Sequence, residues 1–163
     1  GVKGTVGDYL DDVKPGEVVV IDNAGRTTCT VWGDLLSITA THKGVAGTLI
    51  DGVCRDLPTI HELNYNIFTK GYYMVTGKDR VEVDQVNVPV SVSGVRIEPG
   101  DLVVGDATGV VIVPQIKAEK VLAVAKEIAE KEAQIEANVR AGMPVGEARA
   151  KVGYHHLQTR VEE

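Results

Sequence analysis

The sequence predicts an α/β domain whose second half is antiparallel, and three features predict it. The first half alternates short apolar runs with helical stretches, each bounded by Gly or Pro. The second half is a series of short Val-rich runs separated by tight-turn residues. Near the C-terminal end lies one long stretch with apolar residues at 3–4-residue spacing. At 163 residues the chain is the size of one domain, and 44% apolar with 25% charged residues is ordinary globular composition, too hydrophobic for disorder over most of its length.

Residues 17–22, apolar after Pro15-Gly16, form the first expected strand. A Gly/Thr-rich loop leads to a short helix over residues 34–43, with Asp34 near its N-terminus and Gly44 as its stop. Residues 45–50 form a second strand and residues 51–56 the turn leaving it. A second helix spans residues 57–63, with Pro58 tolerated in its first turn. Residues 66–70 complete a β-α-β-α-β order, whose strands are expected to be parallel. Residues 86–95, 95–97, 101–105 and 110–113 follow as short strands, punctuated by Pro99-Gly100 and Gly109. Residues 115–140 make one long helix, closed by Gly142 and Pro144, and the tail to Glu163 mixes charge with Tyr154, His155 and His156. No internal repeat or low-complexity linker is present, so residues 1–163 are expected to be one domain.

Charge and cysteine content narrow the function. Lys and Arg number 17 against 23 Asp and Glu, a net charge of −6 with no basic cluster, which argues against nucleic-acid or anionic-membrane partners. Cys29 and Cys54 are too few for a disulfide framework or a closed zinc site. No apolar run approaches the roughly 20 residues that span a bilayer, and no signal peptide is visible. A cytoplasmic protein with reduced thiols is expected. The chain starts at Gly1 rather than Met, as a fragment or processed chain would.

Two short constellations carry chemistry. Gly33-Asp34-Leu35-Leu36 opens a helix, where free N–H groups and the positive dipole end favour a carboxylate or phosphate; the plainer use of Asp34 is as a cap. Arg55-Asp56 follows a strand, where open α/β sheets place ligands. Arg offers a forked donor set and Asp a hard oxygen for Mg²⁺ or Mn²⁺, although adjacent Arg-Asp pairs also occur as surface ion pairs.

Together they are more specific: twenty residues separate Asp34 from Arg55, and Asp56 follows directly, a D-x20-R-D pattern. With Trp32-Gly33-Asp34-Leu35-Leu36, Gly44-Val45-Ala46-Gly47, Ile50-Asp51-Gly52, Val86-Asn87-Val88-Pro89-Val90, Pro99-Gly100-Asp101 and Gly105-Asp106-Ala107-Thr108-Gly109-Val110-Val111, the chain resembles the metal-dependent 4-hydroxy-4-methyl-2-oxoglutarate / 4-carboxy-4-hydroxy-2-oxoadipate aldolases, grouped with regulators of ribonuclease E activity. The resemblance runs from about Pro15 to the tail; the family's usual N-terminal segment is not found. It implies a swivelling β/β/α three-layer sandwich and a trimer or hexamer with sites at subunit interfaces. It also implies a Mg²⁺ or Mn²⁺ cofactor. Asp56 would ligate the metal, Asp34 would hold metal-bound water, and Arg55 would contact the keto oxygen of a pyruvoyl group. The N–H groups of Leu35 and Leu36, opened by Gly33, would bind its carboxylate. The implied reaction is retro-aldol cleavage of a small 2-keto acid, with oxaloacetate decarboxylation through the same enolate. The rival implication is a non-catalytic regulator that binds and inhibits a ribonuclease.

Other residues have plainer roles beside the chemical ones. In the long helix Val121, Ala125, Ile128, Ile135 and Val139 form one stripe, and Glu132 falls on it. A carboxylate there is costly unless paired or used, so Glu132 is a candidate to enter a neighbouring subunit's site, with Glu130 its competitor and a solvated side chain the alternative. His155-His156 lack an acidic partner at ligand spacing. His42 and His61 fall on helices as structural residues, and Cys54 reads as a small packed residue. Residues 105–109 lack the Walker lysine and read as a hairpin. No Rossmann fingerprint exists, and neither Lys43 nor Lys70 is spaced as a Schiff-base lysine.

Overall fold

In the computed structural model, residues 6–154 are described. The chain divides into two compact units, Gly1–Pro114 and Gln115–Glu163.

The first unit is a mixed α/β structure. Its elements are β1 (Val18–Arg26), α1 (Asp34–Lys43), β2 (Gly47–Cys54), α2 (Leu57–Glu62), β3 (Ile67–Tyr72), β4 (Val90–Val92), β5 (Val95–Ile97), β6 (Leu102–Asp106) and β7 (Gly109–Val113), preceded by a 3-10 turn at Asp8–Asp12. Strands β1, β2 and β3 form one parallel sheet in that order, as the alternation of strands and helices predicts. β4–β5 and β6–β7 are antiparallel hairpins, the second enclosing the turn expected at residues 105–109.

Alternation along β2 explains the layering, since successive side chains on a strand face opposite ways. Ile50 and Cys54 join a cluster with Trp32, Ala40 and Ile60, on the side of α1 and α2. Leu49 joins Val92 and Ile97 of the first hairpin, with Phe68, Val110 and Ile112 packed against them. Helices thus cover one face of the sheet and hairpins the other, the three layers of a β/β/α sandwich. Every residue of β2 is buried, so this central strand turns no face to solvent. That corrects the expected turn at residues 51–56: Asp51-Gly52 looks like turn chemistry, yet the strand runs on to Cys54. Asp51 is held there by Lys70 Nζ at 2.7 Å and by the Ser93 backbone N–H at 3.1 Å.

α1 begins and ends as expected. Gly33 is its N-cap in extended backbone, and Gly44 closes it in the left-handed region at φ 71°. Among residues 73–89 the regular alternation expected from residue 86 yields no strand before β4.

The second unit holds a 3-10 turn at Gln115–Lys117, α3 (Ala118–Arg140) and α4 (Val145–Lys151). α3 matches the expected long helix. α4 lies in the tail, which showed no apolar period; Pro144 at its N-cap, Glu147 in the first turn and Arg149 and Lys151 in the last were the legible signals. α3 has no buried residue, and within this unit Ile128 and Ile135 are only half-buried. His155 and His156 lie outside the described residues. Among the described residues no helix is long and apolar enough to cross a membrane.

Candidate functional site

The site forms where the loop into α1 meets the loop out of β2. Arg55 N–H donates to the Trp32 carbonyl at 3.0 Å, which ties the two loops together beyond the last sheet pairing. Asp34 is the first residue of α1, and its N–H donates to Asp56 Oδ2 at 3.1 Å. The same oxygen lies 3.2 Å from Arg55 Nε. Asp34, Arg55 and Asp56, separated by D-x20-R-D in sequence, therefore share one corner at a helix N-terminus.

Gly33 sits on this corner with its Cα against both partners. A Cβ there would lie 2.6 Å from Asp56 Oδ2 and 3.0 Å from Arg55 Nε. The backbone of Gly33 is extended and imposes no demand for glycine; the Arg55 and Asp56 side chains do. Asp56 is itself in the left-handed region, at φ 61° and ψ 41°, as the N-cap of the short α2. A non-glycine residue held there is strained, though Asp tolerates it better than most. The conformation turns its carboxylate back onto α1 instead of capping α2, for which it makes no side-chain bond.

The helix amides are partly claimed by the protein's own acids. Leu35 N–H donates to Asp34 Oδ1 at 2.7 Å, so the carboxylate of Asp34 folds over the first turn. Leu35 is 73% exposed, and Leu36 packs against the helix-side core. Arg55 and Asp56 are each a little over one-third exposed at the side chain, so the corner is open to water and to small solutes.

Supporting bonds fix the Gly33 backbone. Ser37 N–H and hydroxyl both donate to the Gly33 carbonyl, at 3.1 and 2.9 Å. The Ser37 hydroxyl accepts the Trp32 indole N–H at 2.9 Å, and the Trp32 ring stacks on Tyr65 with centroids 6.1 Å apart. Thr30, Ser37 and Tyr73 are supporting residues that the sequence reading missed. Thr30 lies in the Gly/Thr-rich loop, Ser37 is one polar residue in a helix, and Tyr73 acts through its backbone N–H to the Cys54 carbonyl at 2.9 Å. Spacing alone marks none of them.

The remaining candidates fall elsewhere. Burial pushes the Cys54 thiol above its ordinary value, as expected of a packed residue and not of a nucleophile. Lys70 is held by Asp51, and Lys43 Nζ donates to the Asp11 carbonyl. Glu132 and Glu130 are exposed on α3, in the second unit.

A three-layer β/β/α fold with an Asp-Arg-Asp corner at a helix N-terminus defines a class of protein. The chain belongs to the RraA-like family, whose model, described as Aldolase/RraA, matches residues 2–112. Among curated relatives, DlpA of Legionella pneumophila is 37% identical over 147 residues, covering 90% of this chain and 24% of that protein. A Halalkalibacterium halodurans relative, provisionally named 4-hydroxy-4-methyl-2-oxoglutarate aldolase, is 41% identical over 130 residues, covering 80% of this chain and 60% of that protein. The chain thus spans about a quarter of the first relative's length and three-fifths of the second's. Among solved structures, an uncharacterized Pseudomonas syringae protein aligns with a TM-score of 0.86 at 40% identity, over 87% of this chain and 71% of that one. Streptomyces coelicolor RraAS2, described as an unusual member of the RNase ES inhibitor RraA family, aligns at 0.69 and 34% identity, over 83% of this chain and 67% of that one.

Proposed function

We propose that the chain carries the site of a divalent-metal-dependent lyase that cleaves 4-hydroxy-2-keto acids to release pyruvate, and that decarboxylates oxaloacetate through the same enolate. The observation that carries the reading is Asp56 Oδ2, placed between the Asp34 N–H at 3.1 Å and Arg55 Nε at 3.2 Å at the first turn of α1.

The donor set fits Mg²⁺ or Mn²⁺. Two part-exposed carboxylates offer hard oxygens, and Mg²⁺ commonly takes one or two carboxylates and keeps several waters. Among the described residues no group of three or more His, Cys, Asp or Glu could hold a metal, so a closed, all-protein cage is not built there. Asp56 would ligate the cation directly and Asp34 would hold water on it. When bound, the cation supplies Lewis-acid stabilisation of charge on the keto oxygen.

The chain's own residues account for the rest. In the retro-aldol direction a base takes the 4-hydroxyl proton, the C3–C4 bond breaks, and its electron pair becomes the pyruvate enolate. Negative charge gathers on the C2 oxygen, where Arg55 would donate; its pair with Asp56 runs through Nε, which leaves the terminal nitrogens for that role. The substrate carboxylate would take the Leu36 N–H and displace Asp34 from the Leu35 N–H, freeing the Asp34 carboxylate to hold water. Protonation at C3 then gives pyruvate. Glu132, from a neighbouring subunit of a homotrimer or homohexamer, is the proposed carboxylate for orienting water or moving a proton.

The test is pyruvate release from oxaloacetate and from 4-hydroxy-4-methyl-2-oxoglutarate, with Mg²⁺ and with EDTA. Metal-dependent release that Asp56→Ala abolishes supports the lyase; release indifferent to EDTA, or unchanged in Asp56→Ala, refutes it. The rival role, inhibition of a ribonuclease by a pure binding module, takes its support from the RraAS2 likeness. Such a module has no need of the Asp34/Arg55/Asp56 corner, and its activity would survive Asp56→Ala.

A further inference from the structure

We infer that Thr30 is a positioning residue that holds the two loops of the Asp34/Arg55/Asp56 corner in register. The role in turnover rests on the lyase reading above, whereas the clamp itself does not.

Thr30 is 3% exposed, and its hydrogen bonds go to Trp32, Val53 and Val75, not to the side chains of the corner. Its hydroxyl lies 2.8 Å from the Trp32 carbonyl and 3.0 Å from the Val53 carbonyl, and its single proton is shared between them. The same oxygen accepts the Trp32 N–H at 3.2 Å. One side of this contact is two residues from Asp34, and the other is two residues from Arg55. The Trp32 carbonyl also accepts the Arg55 N–H, so the hydroxyl and the Arg55 amide converge on one acceptor. Without the hydroxyl, that amide bond is the backbone-to-backbone link left between the loops, beside the Asp34 N–H on the Asp56 carboxylate.

A third segment is tied at the same residue. Thr30 N–H donates to the Val75 carbonyl at 2.9 Å, and Thr30 pairs with Thr76 in a parallel bridge. Any Cβ on Gly77 would strike the Thr30 carbonyl, so this strap lies tight against the residue. The strap also reaches β2 through the Tyr73 N–H on the Cys54 carbonyl. Three segments distant in sequence therefore meet at one buried hydroxyl-bearing residue, immediately behind the corner. Catalysis by placement is sensitive to shifts of about 1 Å, which can cost about a hundredfold in rate. A side chain of the same shape but without the hydroxyl removes the clamp and keeps the packing.

Thr30→Val and Thr30→Ser, made in the full chain, test this. In Thr30→Val the Arg55 and Asp34 amides are expected to exchange with deuterium about tenfold faster or more, while Val20 and Leu49 in the sheet keep wild-type rates; Thr30→Ser retains protection at both sites. In pyruvate release from oxaloacetate, kcat falls about tenfold or more in Thr30→Val with KM little changed, and Thr30→Ser stays within about twofold of wild type. The inference is overturned if Thr30→Val protects Arg55 and Asp34 as wild type does, if the sheet amides open to the same extent, or if Thr30→Ser is as impaired as Thr30→Val. If the wild type releases no pyruvate the lyase reading fails, and amide exchange alone decides the clamp.

Discussion

Asp56 occupies a backbone region that costs a side-chain-bearing residue energy, and it gives its carboxylate to α1 and Arg55 instead of to its own helix. A residue strained for a site should be replaceable without loss of fold. Asp56→Asn, which tolerates the left-handed region equally well, is expected to keep the melting temperature within about 2 °C while metal-dependent pyruvate release falls at least about a hundredfold. Gly33→Ala meets the same two side chains without backbone strain, so calorimetry should find little change while kcat drops about tenfold or more. Asp51 gives the pH prediction. The hydrogen bond from Lys70 and, next to it, the bonds from Ser93 outweigh burial and hold its carboxyl below the ordinary 3.8. A carboxyl depressed in the folded state contributes stability above its unfolded value and loses it as pH falls through the folded one. Resistance to urea should therefore fall below about pH 4, and Asp51→Asn should lower stability at neutral pH while flattening that acid limb. Read singly, Asp34 is a cap and Arg55-Asp56 an ion pair; the residues of the corner were legible because D-x20-R-D is the signature of a family that the chain resembles. Thr30 and Ser37 were not, because their work is done through backbone carbonyls that no pattern of side chains reports.

Among the elements, α1 was fully legible: a glycine before it, a glycine after it, and acidic first and basic last turns mark both ends. Its N-terminus carries the proposed site, and Ser37 is the peg that holds Gly33 and the Trp32 indole together. Ser37→Ala leaves the buried indole N–H without its acceptor, for which a loss of about 1–3 kcal/mol is expected by chemical denaturation, with a change in emission from the only tryptophan, Trp32. β2 was misjudged at its end, where Asp51-Gly52 mimicked a turn. Burial on both faces overrode that local chemistry, because Lys70 of β3 and Ser93 in the turn between β4 and β5 satisfy Asp51. α4 escaped because a helix of seven residues is too short to show a period.

At the scale of the whole molecule, an α/β class with an antiparallel portion followed from the order of strands and helices, while the three-layer sandwich followed only from the resemblance. The role proposed for Glu132 belongs to an assembly. Light scattering should give a mass three or six times the 17.4 kDa chain. Asp56→Ala and Glu132→Gln chains, each inactive alone, should partly restore pyruvate release when unfolded and refolded together, because a mixed oligomer contains sites with both carboxylates. No recovery would place Glu132 outside the site. The most direct test of the central claim needs no aldol substrate. Enolate formation exchanges the methyl protons of pyruvate with solvent, which proton NMR follows in D2O. The account predicts exchange that requires Mg²⁺ or Mn²⁺ and disappears with EDTA and in both Arg55→Ala and Asp56→Ala. Exchange no faster than buffer with metal present, or equally fast in those variants, would contradict it.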